Sequence, residues 1–461
     1  MPLIDFVMQV AVRLARKTHT DKATLWALVI RVWMAIAGPI SLVLIGRYFS
    51  IEVQGYYYTF ASILALQLFA ELGLSQVLVQ FSSHEWIGLH LDEKGSVQGN
   101  NENRSRLASL VRFASLWFGI GALGLSVLLL AVGFVFFNQS TIAPVAVHWK
   151  APWLCLVCAT GLNFVLAPVW AILTGCGQIE KVNASRAFIG VAMNLAGWIA
   201  ILMGSGLYTT VVTGAVCFIG GLVFLSVWYR NFFFSLLKVK VTWRIDWIHE
   251  LLPMQSRIAI STLTSYFMYN IFNPILFRYH GPQAAARMGM SLAIGNAVSS
   301  VSSAWVETKA PAFGMLVAKK DYDKLDKVLK KVTLISTAMA IAGGCAVLLL
   351  FVVFLADHPF GQRVLPTVPF ALILLVTIAN QVIGALNTYL RAHRQEPTMA
   401  VTIFANVLCG LSTWWFGAKY SALGATIGYA AIVLLLQLPL VASVWFRCRR
   451  NWHRIDRQIS V

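Results

Sequence analysis

Residues 25–40 read LWALVIRVWMAIAGPI, and the chain stays apolar from there to Gly46 before Arg47 and Tyr48. A helix needs about 20 mostly apolar residues to cross a bilayer, and this stretch supplies them. It carries one charge, Arg31, about two helical turns in, with Gly38 and Pro39 two turns further on. A guanidinium at that depth costs a few kcal/mol unless it faces water or an anion, or its long stem reaches back to the headgroups. The stretch therefore reads as a membrane span and sets the question of what its charge is for.

Stretches of the same kind recur outward from it. About 12 can be marked, near 25–46, 54–81, 108–137, 150–174, 186–204, 207–228, 257–279, 285–310, 332–355, 365–388, 398–418 and 421–446. The seventh (IAISTLTSYFMYNIFNPILF) and the eighth are the least apolar, being rich in Ser, Thr and Asn. Polar spanning helices face a bundle interior or cavity rather than lipid. The fold class expected is all-α, a polytopic integral membrane protein.

Composition agrees. Of 461 residues, 58% are hydrophobic and 12% charged, against about 25% charged in a soluble domain. That excludes a water-soluble enzyme, a secreted disulfide scaffold and a disordered tail. The net charge of +18 raises nucleic acid or membrane topology as its cause. With the N-terminus inside, 29 of the 36 Lys and Arg fall on the inner side and 6 on the outer, with Arg31 inside a span. Such a bias orients a membrane protein with both termini cytoplasmic. The charge is scattered over seven inner segments without a basic stripe, so no nucleic-acid partner is expected.

Residues 1–24 lack a cleavage site of small residues, and their charges follow the apolar part. They read as an amphipathic cytoplasmic segment on the inner leaflet rather than a signal peptide. Six spans precede the longest loop, 229–256, and six follow it. The domains expected are thus a six-helix bundle at 25–228, a cytoplasmic connector at 229–256, a second bundle at 257–446 and a basic tail at 447–461. Faint echoes suggest parallel repeats: LTGCGQIE from Leu173 against LRAHRQEP from Leu390, and Arg47-Tyr48 against Arg278-Tyr279. Cys155 and Cys158 form a CxxC, but on a spanning helix that spacing reads as packing rather than redox or metal chemistry.

No catalytic motif is present. GxxxxGK[ST] and GxSxG are missing, and His84-Glu85 and His249-Glu250 meet Gly88 and Pro253 where a zinc protease needs a second His. No catalytic residue, metal or cofactor is expected, and all outer loops are short. Chemistry then falls to ionisable and polar residues in the spans. Arg31, Arg112, Arg186, Arg257 and Lys309 would set cations around an inner vestibule, suited to a phosphate or pyrophosphate that guanidinium forks bind bidentately. Glu71 and Glu307 are candidates for ion coupling. Tyr266, Tyr269, Asn270, Asn273, Asn296, Asn380 and Gln381 offer the hydroxyls, amides and rings that suit sugars, although interhelical hydrogen bonding would use the same groups.

At these residues the chain resembles the polysaccharide flippases, the O-antigen (Wzx-type) transporters of the multidrug/oligosaccharidyl-lipid/polysaccharide exporter superfamily. The similar stretches are RYFSIEVQGYYYTFASILALQLFAELGLSQVLVQFSSHE (47–85), WIHELLPMQSRIAIS (247–261), APAFGMLVAKKDYDKLDKVLKK (310–331) and YLRAHRQEP (389–397). The resemblance implies two six-helix bundles of the multidrug-exporter (MATE-like) type around a cavity that alternates in access. It also implies a transporter, not an enzyme, whose substrate is an oligosaccharide on undecaprenyl pyrophosphate in a bacterial inner membrane. Arg31 and Lys309 fit the cation-lined lumens of that family. Besides the lipid-linked substrate, membrane lipids are the partners expected; whether polymerase or chain-length machinery binds, and whether the chain works as a monomer, the sequence leaves open. Two alternatives stand beside this reading: a cation-coupled multidrug exporter of the same superfamily, which would want more acids in its spans, and a membrane polymerase or ligase, which would want a large outer loop.

Overall fold

A computed structural model describes residues 22–138, 147–355, 357–393 and 395–459. Residues 1–21, most of the amphipathic segment expected at 1–24, lie outside the described residues, as do 460 and 461 of the tail. The described chain is helical apart from one antiparallel hairpin, β1 (Leu89–Leu91) with β2 (Val97–Gly99).

Every expected span falls on helix. The first is α1 (Lys22–Tyr48), and the second is divided among α2 (Ile51–Leu64), α3 (Gln67–Glu71) and α4 (Leu74–Glu85). The third to sixth are α5 (Asn101–Asn138), α6 (Lys150–Gly175), α7 (Ile179–Leu202) and α8 (Tyr208–Trp228). After the short α9 (Arg230–Leu237) come α10 (Leu252–Tyr269), α11 (Phe272–Ala318), α12 (Tyr322–Leu349), α13 (Thr367–Ala392), α14 (Met399–Ala431) and α15 (Leu438–Ile459).

Breaks inside these helices show where spans end. Gly281 in α11 has φ 83° and ψ 176°, outside the helical range, and separates the seventh span from the eighth. Glycine takes that backbone conformation without Cβ strain. Ser421 in α14, at φ 57°, divides the eleventh from the twelfth. By length and composition, eight of the described helices could cross a membrane, or nine with the bent pair Ile51–Glu71 and Leu74–Glu85. The helices carrying spans seven and eight are not among them, which follows from their Ser, Thr and Asn content.

One difference from the sequence reading is the second span, which is bent by 44°. Leu72 (φ 50°) and Gly73 (φ 68°) are both left-handed there. A side chain at Gly73 would collide with the Ile258 side chain, so glycine serves both backbone and packing. Similarly, α10 stops at Tyr269 and α11 begins at Phe272, interrupting the seventh span.

Of the described residues, one compact unit takes 22–37, 63–138 and 147–263, and the other takes 38–62 and 264–459. The first unit buries Trp153, Phe118 and Phe232 completely, and its connector residues 229–256 pack within it. The second is built on a continuous cluster that includes Tyr58, Phe272, Met290, Phe313, Phe370 and Tyr389. Residues 38–62, which precede the midpoint of the chain by far, belong to this second unit: Gln54 donates to the Ala286 carbonyl at 3.0 Å and the Tyr56 ring meets Phe277 at 4.8 Å. In lipid such helix pairs gain from close packing and interhelical hydrogen bonds, because burial of apolar surface alone favours neither partner.

Candidate functional site

In the second unit, α10, α11, α13 and α14 enclose a cavity of about 470 Å³. Tyr269 from the end of α10, Asn296 and Glu307 from α11, and Asn380 and Gln381 from α13 all line it. Ser299, Ser303, Thr377, Thr388, Arg391 and Tyr429 line it too. Helical spacing explains the set. Asn296, Ser299, Ser303 and Glu307 follow one another at three and four residues, as do Thr377, Asn380 or Gln381, Gly384 and Thr388, so each run forms one stripe on its helix.

Gln381 is buried and held from two sides. Its amide donates to Ser299 Oγ at 2.9 Å, and its oxygen accepts from Ser336 Oγ at 3.1 Å. This fixes α13 against α11 and α12 and presets one wall of the cavity. Ser303 Oγ donates to Glu307 Oε1 at 3.1 Å. Arg391, also in the lining, lies in the last turn of α13 and 3.8 Å from Glu396, with 65% and 62% of the two side chains exposed. An ion pair that long and that exposed contributes little, so Arg391 can exchange Glu396 for another anion at small cost. The cavity thus combines amides, hydroxyls and tyrosines with one cation and one carboxylate among its lining residues.

The other expected sugar contacts lie elsewhere. Asn273 is buried and donates to Ser62 Oγ at 3.0 Å, tying α11 to α2. Tyr266 is buried with its ring against Phe267, and Asn270 sits in the break between α10 and α11. Lys309 is exposed on α11, two residues beyond Glu307, and does not line the cavity.

The expected cations of the first unit have different surroundings. Arg112 in α5 donates through Nη2 to the carbonyls of Leu237 at 2.8 Å and Val239 at 2.7 Å, at the C-terminal end of α9. Those carbonyls have no partner within the helix, and the guanidinium satisfies them. Arg186 in α7 lies over the Trp170 ring at 5.6 Å. Arg31 is on an exposed face of α1, between Val32 and Met34. Glu71 is half-buried at the last residue of α3, immediately before the left-handed Leu72–Gly73 break. The Arg257 side chain lies outside the described residues.

Arg106, one residue that the sequence reading assigned no role, holds this unit's connector. Its Nε lies 2.9 Å from Glu85 and its Nη2 2.7 Å from Glu250. Beside it, Ser105 Oγ accepts the amides of Thr242 at 2.9 Å and Trp243 at 3.0 Å, and Ser109 Oγ accepts that of Ile245 at 3.2 Å. Asp246 caps the turn Trp247–Leu251 by accepting from the Ile248 and His249 amides. The His249 ring beside it holds the Asp246 carboxyl below its ordinary value. The Asp246 amide, with Arg106 as a lesser cause, does the same to Glu250.

No protein-family model matches this sequence, and no curated protein matches it. Solved structures do match in fold. A lipid II flippase, MurJ, in an inward closed conformation is similar at TM-score 0.62 and 14% identity, over 93% of this chain and 90% of that one. The eukaryotic MATE transporter AtDTX14 gives TM-score 0.58 at 13% identity, over 94% and 99%. An inward-facing multidrug resistance MATE family transporter of the MOP superfamily gives 0.56 at 15%, over 98% and 99%. The fold is therefore the all-α, two-bundle architecture of these multi-pass membrane transporters, as expected from the span pattern. At such identities the likeness is one of fold.

Proposed function

We propose that this chain is a flippase that carries an oligosaccharide on undecaprenyl pyrophosphate, an O-antigen or similar repeat unit, across a bacterial inner membrane by alternating access. The observation that carries the reading is the cavity of the second unit, where Tyr269, Asn296, Asn380, Gln381 and the flanking Ser and Thr side chains present sugar-binding chemistry beside Arg391. Amides and hydroxyls match sugar hydroxyls as donors and acceptors at once, and a loosely paired guanidinium suits a phosphate. The fold shared with a lipid II flippase supports a lipid-linked substrate class. Both termini are proposed to be cytoplasmic, on the charge asymmetry of the loops.

Arg31, at an exposed position on α1 in the first unit, is proposed separately as a phosphate-contacting cation. In a strain lacking the gene, labelled lipid-linked repeat units accumulate on the inner leaflet. Normal arrival on the outer leaflet in that strain overturns the reading. Complementation by Arg31→Ala fails at normal protein level while Arg31→Lys partly restores it; full activity of the Ala variant makes Arg31 a headgroup-facing side chain instead.

A cation-coupled exporter of small molecules is the second reading, favoured by one observation: Glu307 lines the same cavity. It expects Glu307→Gln to abolish export of cationic dyes from vesicles, whereas the flippase reading expects no dye export from either protein.

A further inference from the structure

We propose a second binding site, in the first unit, for a lipid-borne phosphate. A cavity of about 290 Å³ lies where the connector crosses α5, lined by Ser109, Leu110, Arg112, Phe113, Val241, Arg244, Ile245, Trp247 and Leu251. Two of these are arginines and none is a carboxylate. The nearby acids are otherwise engaged: Glu250 with Arg106 and the Asp246 amide, Asp246 with the His249 ring and the turn it caps.

Arg112 is held in place because Nη2 binds the Leu237 and Val239 carbonyls, which leaves Nε and Nη1 as further donors on a fixed guanidinium. Arg244 is exposed and joins the lining from the connector rather than from α5. Two aromatic rings line it, Phe113 and Trp247 at 4.0 Å, and Trp117 backs Trp247 at 5.4 Å from outside the lining. Leu110, Val241, Ile245 and Leu251 complete an apolar wall.

Paired guanidinia in an apolar, aromatic lining fit an anion that is joined to hydrocarbon better than a free ion. Arginine and tryptophan near the end of a spanning helix also mark the depth at which phospholipid headgroups lie. The site therefore takes an anionic phospholipid, its phosphate between Arg112 and Arg244 and its first acyl carbons over Phe113 and Trp247. This fastens the connector to the bilayer surface, whatever the transported substrate is.

The test uses the purified full-length protein in detergent with fluorescently labelled phosphatidylglycerol as probe. Saturable binding is expected, with phosphatidylcholine at least about tenfold weaker and inorganic phosphate a poor competitor at millimolar concentration. Arg244→Gln weakens phosphatidylglycerol about tenfold, and Arg244→Lys recovers part of the loss. A photoactivatable phosphatidylglycerol should label peptides containing 109–113 or 241–251. Equal affinity for the two phospholipids, an unchanged Arg244→Gln, or labelling confined to other helices overturns the proposal. Competition by inorganic phosphate as strong as that by lipid overturns the lipid part, and displacement by lipid-linked oligosaccharide alone returns the site to the transported substrate.

Discussion

The first unit uses Arg106 and Arg112 on its own backbone and carboxylates, while the second leaves Arg391 loosely paired at the edge of a polar cavity. Each is an arginine close to the end of a spanning helix, and by sequence position they are alike. What separates them is what the neighbouring segment brings. The connector brings carbonyls and Glu250 to α5, satisfying the guanidinia, whereas α13 ends beside exposed Glu396 at 3.8 Å. Charge count and helix position therefore do not distinguish a structural cation from one open to a ligand. The number and length of its existing bonds do.

The largest expected effect is that of Arg106→Ala. It strands Glu85, whose side chain is only 9% exposed, and frees Glu250. Removing one partner of such a pair costs about 3 kcal/mol, because the remaining charge is left desolvated. The melting temperature in detergent should fall by several degrees and the membrane level of the protein with it. A variant that melts like the wild type would erase the contrast between the two units.

Arg391→Gln should do the reverse: about a tenfold loss of transport, read by complementation at matched protein level, with melting unchanged. If it destabilises the protein and spares transport, Arg391 belongs with Arg106. Within the cavity wall the two classes separate again. Gln381→Ala leaves Ser299 and Ser336 without their partner and should cost about 1–3 kcal/mol in thermal stability. Asn296→Ala, at an exposed position on the cavity surface, should lower transport with no change in melting.

Acid gives the smallest effect. The Glu250 carboxyl lies below its ordinary value of 4.5, so its stabilising contribution is present above that value and fades as pH falls through the depressed one. The melting temperature of the wild type should drop more than that of Arg106→Gln as pH falls from 6 to well below 4.5, since the variant has already lost part of the interaction. Parallel curves would remove Glu250 from the connector's attachment.

Much of the fold could be read directly. Runs of apolar residues of bilayer length fall on helix throughout, although eight or nine of the described helices, not twelve, pass for spans; the Ser, Thr and Asn content of stretches seven and eight matches the polar cavity there. Tyr269, Asn296, Asn380, Gln381 and Glu307 line a cavity for a reason visible in the sequence: polar groups in an apolar helix need partners or a cavity. Asn273 and Tyr266 satisfy that rule equally well by packing against other helices, and nothing local separates the two outcomes. Arg391 lies within YLRAHRQEP yet reads as a loop charge, because which side chains share a cavity is not a sequence quantity. The bend at Leu72–Gly73 had a signal in the glycine, but glycine is common in spanning helices.

By itself the sequence determined the class of solvent this chain lives in, the order of its apolar stretches, and which of them are the more polar. Those depend on transfer free energies that add residue by residue along a span. Only the tertiary structure decided that residues 38–62 join the second unit, that the connector is fastened along α5, and which polar side chains are left facing a cavity. Those outcomes turn on which groups meet across 144 and 309 residues of chain, as Arg106 meets Glu250 and Gln54 meets Arg363. A hydrogen bond's directional geometry, unlike hydrophobicity, exists only once both partners are in place.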